Sequence, residues 1–251
     1  MYAEWLPDRD LADRIACFWH QHGEADGVQL VVPDGCVDLI WGPDGPFVAG
    51  PDTGPAPVSV REGDTFTGIR FKPGAVGEAF GVPLQELRDQ RVPVSALDAL
   101  PPLSEPFPER EGASIGFDAV AGESTPAFGL DEHSARRLRA LRATVVARLR
   151  QTPGPDPAAS DIAAALRTGR SVGEAAWHLG FSERQLQRRS VASFGYAPKT
   201  LQRIVRFQRA LKLARAGVPL AEVAATAGYT DQPHLSNDVK RLSGVALGQL
   251  V

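Results

Sequence analysis

Cys17, His20 and His22 crowd three ligand-type side chains into six residues, and Cys36 adds a fourth after a gap. Thiolate sulfur and imidazole nitrogen are the usual ligands of zinc, so a metal site is the first chemistry to consider. The spacing is irregular for that ion. Two cysteines make no disulfide framework, and the plainer alternative is a pair of small buried apolar residues. A cupin-type enzyme would need its metal set on strands. His20-Gln21-His22-Gly23-Glu24 brings its glutamate too soon for that, and His133, His178 and His234 fall in helical patterns. A single-thiol sensor built on Cys17 or Cys36 is a third chemistry. The expectation is no catalytic residue, no metal and no other cofactor, with a cysteine- or metal-based sensor as the alternative.

These residues must be positioned by a first half that reads as β-structure. Short β-rich runs at 28–32 and 36–41 flank Pro33-Asp34-Gly35, a turn signal that predicts a hairpin. Further strands are expected at 47–49, 58–61 and 66–71, after an edge strand or short helix and a strand within 1–24. Helices are expected at 73–80 and 84–90, and a loop over 101–126, where Pro, Ser and Gly dominate. Arg70 is a charge in an apolar strand and requires an anionic partner, either Asp38 or a ligand. An effector pocket inside the sheet would draw on Trp19, Cys36, Asp38, Trp41, Arg70 and Phe71. Alternation puts Asp38 on the face of Cys36 and Trp41 on the other.

Residues 131–151 carry Leu138, Leu141, Val145 and Leu149 on one stripe ringed by arginines. Such a stripe either seals a homodimer or packs on the chain's own domain. Residues 152–157, Thr-Pro-Gly-Pro-Asp-Pro, cannot continue a helix. The expected division is a sensor or dimerisation domain at 1–130, a connecting helix at 131–151, a linker at 152–157 and a second domain at 158–251.

Charge separates the same halves. The net charge of −3 conceals 13 Lys/Arg against 7 Asp/Glu from Pro155 onward, a surplus of six positive charges set against nine negative ones in the rest. A basic segment behind an acidic one suits nucleic-acid binding by the second domain. No run approaches the ~20 apolar residues of a membrane span, and the first residues lack signal-peptide order. No membrane partner and a cytoplasmic location are expected.

The second domain repeats itself. Gly180, Phe181, Ser182 and Glu183 are answered 48 positions on by Gly228, Tyr229, Thr230 and Asp231; after one inserted residue, Leu186, Gly195 and Leu201 are answered 49 positions on by Leu235, Gly244 and Leu250. Each copy reads as a short helix, a glycine turn and a second helix, capped by Ser182 or Thr230. That is the grammar of a helix-turn-helix, whose second helix lies in the DNA major groove. Between the copies, residues 198–216 predict a helix with proline at its first position and Gly217 past its end. At ~1.5 Å per residue it reaches roughly 28 Å, approaching the ~34 Å between successive groove faces of one duplex.

Residues 171–189 (SVGEAAWHLGFSERQLQRR), 195–214 (GYAPKTLQRIVRFQRALKLA) and 221–244 (AEVAATAGYTDQPHLSNDVKRLSG) resemble the AraC-type (AraC/XylS) transcriptional regulators. PDGCVDLIW (33–41), GIRFKPGA (68–75) and GVPLQEL (81–87) are similar to the sensor half of a set of bacterial AraC-type proteins. The resemblance implies an α+β chain of two domains: an incomplete cupin-like antiparallel β-domain with attached helices, then an all-α double helix-turn-helix domain with a long linker helix. Its implied partners are double-stranded DNA, RNA polymerase and an unidentified small-molecule effector. Carried over by position, Arg184, Gln187 and Arg188 read bases from the first copy; arginine can chelate guanine O6 and N7, and glutamine adenine N6 and N7. Arg189 and Lys199 fall to phosphates. The second copy places Gln232, Pro233, His234 and Asn237 at the groove, where the family commonly has arginine or lysine in place of Asn237, with Lys240 and Arg241 for phosphates and Asp238 repelling them. The first copy is therefore expected to carry most of the specificity. Leu247 stands where the family usually keeps a proline, so the last helix is expected to be short or frayed.

Overall fold

The computed structural model describes residues 1–103 and 130–251; the loop expected over 101–126 lies largely outside them. Eight strands are described: β1 (Tyr2–Trp5), β2 (Ile15–His22), β3 (Gly27–Val31), β4 (Val37–Gly42), β5 (Gly45–Ala49), β6 (Ala56–Val60), β7 (Thr65–Phe71) and β8 (Arg91–Pro93). Six form one antiparallel sheet in the order β1-β2-β7-β4-β5-β8, while β3 and β6 make a separate two-stranded ribbon.

The expected hairpin of 28–32 with 36–41 is thus corrected. β3 pairs with β6, and Pro33 to Cys36 is a corner between two sheets. There Asp34 accepts a hydrogen bond from the Cys36 amide (2.8 Å), a side-chain turn that mimics a hairpin in sequence. The helix expected at 73–80 is also absent. Gly74 and Gly77 take φ of 77° and 59°, left-handed values that interrupt a right-handed helix, and only one turn, α1 (Leu84–Leu87), forms downstream.

Alternation divides the sheet's two faces. Val37, Leu39 and Trp41 of β4 join Phe18, Ile69 and Phe71 in a core closed by α2 (Glu132–Gln151). Leu138, Leu141 and Val145 of α2 are buried in that same core. Of the two roles open to the stripe, packing on the chain's own sheet is the one seen within the single chain. Arginines anchor the helix edges: Arg137 lies 5.6 Å from the Trp41 ring, Arg142 pairs with Asp8, and Arg148 donates to the Ala79 carbonyl (3.0 Å).

Beyond residues 152–157 come α3 (Ala159–Arg167), α4 (Val172–His178), α5 (Glu183–Phe194), α6 (Pro198–Arg215), α7 (Leu220–Ala227) and α8 (Gln232–Ser243), then a 3-10 turn at Leu247–Gln249 where a final helix was expected short. One apolar cluster joins them, with Leu201, Ile204, Phe207 and Leu211 of α6 at its centre. The two halves touch through the 33–36 corner: Gln208 of α6 donates to the Pro33 carbonyl (2.6 Å), and Val32 joins the helical cluster.

Leu141→Ala should lower unfolding free energy by about 2–5 kcal/mol in a denaturant titration and leave the molecular mass in sedimentation unchanged. A change in mass would return the stripe to an intermolecular role.

Candidate nucleic-acid interface

Local capping chemistry starts α4 and the second helix of each helix-turn-helix. The Ser171 hydroxyl accepts from the Glu174 amide (3.2 Å) while the Glu174 carboxylate accepts from the Ser171 amide (2.7 Å), closing the start of α4. Ser182 and Gln185 repeat the device at α5. In the second copy the cap is Asp231, whose carboxylate accepts from the His234 amide (2.7 Å), and not the expected Thr230. Asp231 already precedes a proline at the second helical position, and a carboxylate at a helix start gains from the N-terminal dipole as well.

These starts fix which faces look outward. Arg184, Gln187 and Arg188 of α5 are exposed, while Leu186 between them is fully buried. Their spacing of three and four residues puts them on one helical face. On α8, Gln232, Pro233 and Asn237 are exposed, but His234 is half-buried and packs edge-on against Tyr229 at 5.2 Å. Lys199, Lys240 and Arg241 are exposed as well.

Two sequence assignments change. Arg189, expected at phosphate, donates to Asp156 of the interdomain segment (2.7 Å) and stacks over the Phe181 ring at 4.8 Å. Asp238, expected to repel phosphate, is buried and turned inward to Arg203 of α6 (3.0 and 2.7 Å), with Arg206 at 3.6 Å. Its charge is neutralised by α6 before any DNA could sense it. Arg206 also lies 4.8 Å over the Tyr229 ring, so one cation supports both the ion pair and the aromatic that holds His234. The repeat contained the signal: Arg189 and Asp238 stand 49 positions apart, the same place in the two copies with opposite charge. Opposite charges at equivalent, inward positions require different partners, Asp156 for one and Arg203 with Arg206 for the other.

The residues proposed for an effector pocket are only partly brought together. Asp38 and Arg70 are register partners, joined at 3.1 Å, and Trp19 donates to the same carboxylate at 2.7 Å. The Trp19 indole lies directly over Gly68, where any Cβ would overlap it. Cys36 adjoins this group through Asp34, whose carboxylate is 4.0 Å from Arg70. Trp41 and Phe71 lie on the opposite face, within the core under α2. Of the two partners open to Arg70, Asp38 is the one it has, and the group is closed by its own hydrogen bonds.

Thiol chemistry is disfavoured at both cysteines. Burial, reinforced by Glu4, pushes the Cys17 thiol up to about 12, and burial with Asp34 holds Cys36 well above its ordinary value. A thiolate is the reactive form, and neither thiol reaches it near neutral pH. Among the described residues no three His, Cys, Asp or Glu side chains converge as a metal site would require.

Burial pushes the Asp38 carboxyl up to about 6 despite Arg70. Because folding raises this value above the ordinary 3.8, the Asp38 contribution to stability is full below that ordinary value and is lost as pH rises through about 6. The stability of the protein relative to Asp38→Asn should therefore fall between pH 4 and 7, by at most about 3 kcal/mol. A pH-independent difference in denaturant titrations would contradict it. At α8, Asp238→Ala strands Arg203 and Arg206 without their carboxylate, and a loss of about 3–5 kcal/mol is expected in thermal or denaturant unfolding.

A family model described as a helix-turn-helix domain matches residues 175–251, and another, described as a domain of unknown function (DUF6597), matches residues 3–93. No curated protein matches the chain. Among solved structures, ToxT from Vibrio cholerae in a P21 crystal form is similar at 9% identity over 93% of this chain and 96% of its own, with a TM-score of 0.45. Unsaturated-fatty-acid-bound wild-type ToxT from Vibrio cholerae strain SCE256 is similar at 9% identity over 91% and 95%, with a TM-score of 0.43. Two helix-turn-helix units are built on one connecting helix behind an antiparallel β-domain, and the stretch that matches the helix-turn-helix family, residues 175–251, covers nearly all of both units.

Proposed function

We propose that the chain is an AraC-type DNA-binding transcription regulator, that it is effector-responsive, and that it reads two successive major-groove segments of one duplex, α5 supplying most of the specificity and α8 a weaker share. The observation that carries the reading is the contrast between the two outward faces. α5 offers Arg184, Gln187 and Arg188, all free to meet base edges bidentately, whereas α8 offers Gln232 and Asn237 with His234 drawn toward Tyr229. Bidentate pairs discriminate bases by about 1–3 kcal/mol each, and α5 has more of them. The 18 residues of α6 span roughly 27 Å at ~1.5 Å each, a spacing suited to adjacent groove faces.

Affinity without sequence information falls to Lys199, Lys240 and Arg241 at phosphates, and Arg189 is excluded from that set by its bond to Asp156. Residues 1–130 serve as the sensor domain and 152–157 as the linker to the DNA-binding half at 158–251. A regulator of this kind works in the cytoplasm beside RNA polymerase and needs no chemistry of its own. Any homodimer is expected to use a surface other than the α2 stripe. No helix is long and apolar enough to cross a membrane among the described residues.

A duplex selected by the full chain from a random pool provides the test. Arg188→Ala should cost about 1–3 kcal/mol at fixed salt and relax one base position, and Asn237→Ala should cost less. Equal losses would refute the ranking. Lys240→Ala should weaken all duplexes alike and reduce the slope of log affinity on log salt by about one; Arg189→Ala should leave that slope unchanged.

A further inference from the structure

Between β5 and β6 a cleft of ≈ 810 Å³ opens on the face of the sheet that α2 leaves uncovered. Its floor is aromatic. Phe47 and Phe66 line it, both half-buried and seated on a small cluster of Cys17, Trp19, Ile40 and Ala49. Pro55 and Pro57 line the side toward the ribbon.

The charge of the lining is one-sided. Asp44, Asp52, Asp64 and Asp89 stand against Arg61 and Arg91. Arg91 is already committed, donating from both terminal nitrogens to Asp52 at 2.9 and 2.8 Å. An anion entering here meets a surplus of carboxylate. An ammonium group meets that surplus together with aromatic side chains, the combination that recognises organic cations.

The loop that forms one side of the cleft also touches both reading helices. Thr53 ties it to Asp89 through its amide at 2.6 Å, and Asp52 ties it to Arg91. A Cβ placed at Gly195, the residue ending α5, would stand 2.9 Å from Pro51 Cγ; one placed at Gly244, ending α8, would stand 3.6 Å from Pro55 Cγ. Gly195 and Gly244 are the same position in the two copies, so one short loop abuts equivalent ends of both readers.

We propose that this cleft binds a small organic cation with an apolar or aromatic body, and that residues 50–55 transmit its occupancy to both reading helices. The proposal deepens, and rests on, the effector-responsive reading above.

Three ligands sharing one ring test it by calorimetric titration of the full chain: 2-phenylethylammonium, 2-phenylethanol and phenylacetate. The cation should bind saturably and phenylacetate about tenfold more weakly. Asp44→Asn, in the exposed turn between β4 and β5, should weaken the cation several-fold and spare the alcohol. Saturating cation should then shift affinity for the selected duplex, and the duplex should shift cation affinity by the same factor. Pro51→Ala, outside the cleft lining, should keep cation binding and reduce that shift. Phenylacetate binding as tightly as the cation, or no saturable cation binding at millimolar concentration, overturns the site. Cation binding with no shift in duplex affinity overturns the loop's role. Failure of the chain to select any duplex counts against the regulator reading instead, since the calorimetric arms use no DNA.

Discussion

The burial of one helix face governs the DNA-binding half. α6 places Leu201, Ile204, Phe207 and Leu211 in a single apolar cluster with the helices of both helix-turn-helix units, each of these four side chains nearly or wholly excluded from water. Neither two-helix unit is large enough to enclose a core alone. Packing both on the same rod solves that problem and fixes their separation in the same step, because a helix of given length cannot be stretched or slid without uncovering apolar surface. The groove spacing available to the protein is therefore a property of its hydrophobic core.

The β-domain is organised by a different constraint. Asp38, near the start of β4, and Arg70, near the end of β7, sit opposite each other on adjacent strands, where desolvation of a charge is expensive unless it is matched. Arg70 supplies two contacts to the Asp38 carboxylate and Trp19 a third. The match is achieved by flattening Trp19 over Gly68, so an aromatic, a glycine and an ion pair are mutually required. The open space lies next door, beside Phe47 and Phe66.

Much of the architecture was legible because it was written in periodicities that local physics enforces. The two copies, their glycine turns, the Ser182 cap and the proline-started α6 all follow from spacing and from short-range hydrogen bonding. The strands expected at 47–49, 58–61 and 66–71 were visible as well, since Gly/Pro turns bracket them, and they form with bounds shifted by one or two residues, at Gly45–Ala49, Ala56–Val60 and Thr65–Phe71. What failed was long-range. Nothing local in Val28 to Val32 says that its partner is β6 instead of the adjacent β4, because an Asx turn looks the same at a hairpin and at a corner. The apolar stripe of α2 identified a buried face without naming what buries it. The partners of Arg189 and Asp238 were hidden for the same reason: a charge on a helix declares its sign, and only the tertiary partners Asp156 and Arg203 reveal its direction.

The inverted charge at that repeated position has a consequence for how such domains diverge or can be rebuilt. The two reading helices are not exchangeable cassettes. A sequence copied from the first slot into the second would bring a third arginine against Arg203 and Arg206, and the reverse transplant would set an aspartate against Asp156. New DNA preferences can be written freely on the outward residues of either helix, provided the one inward charge stays behind as the key to its own socket.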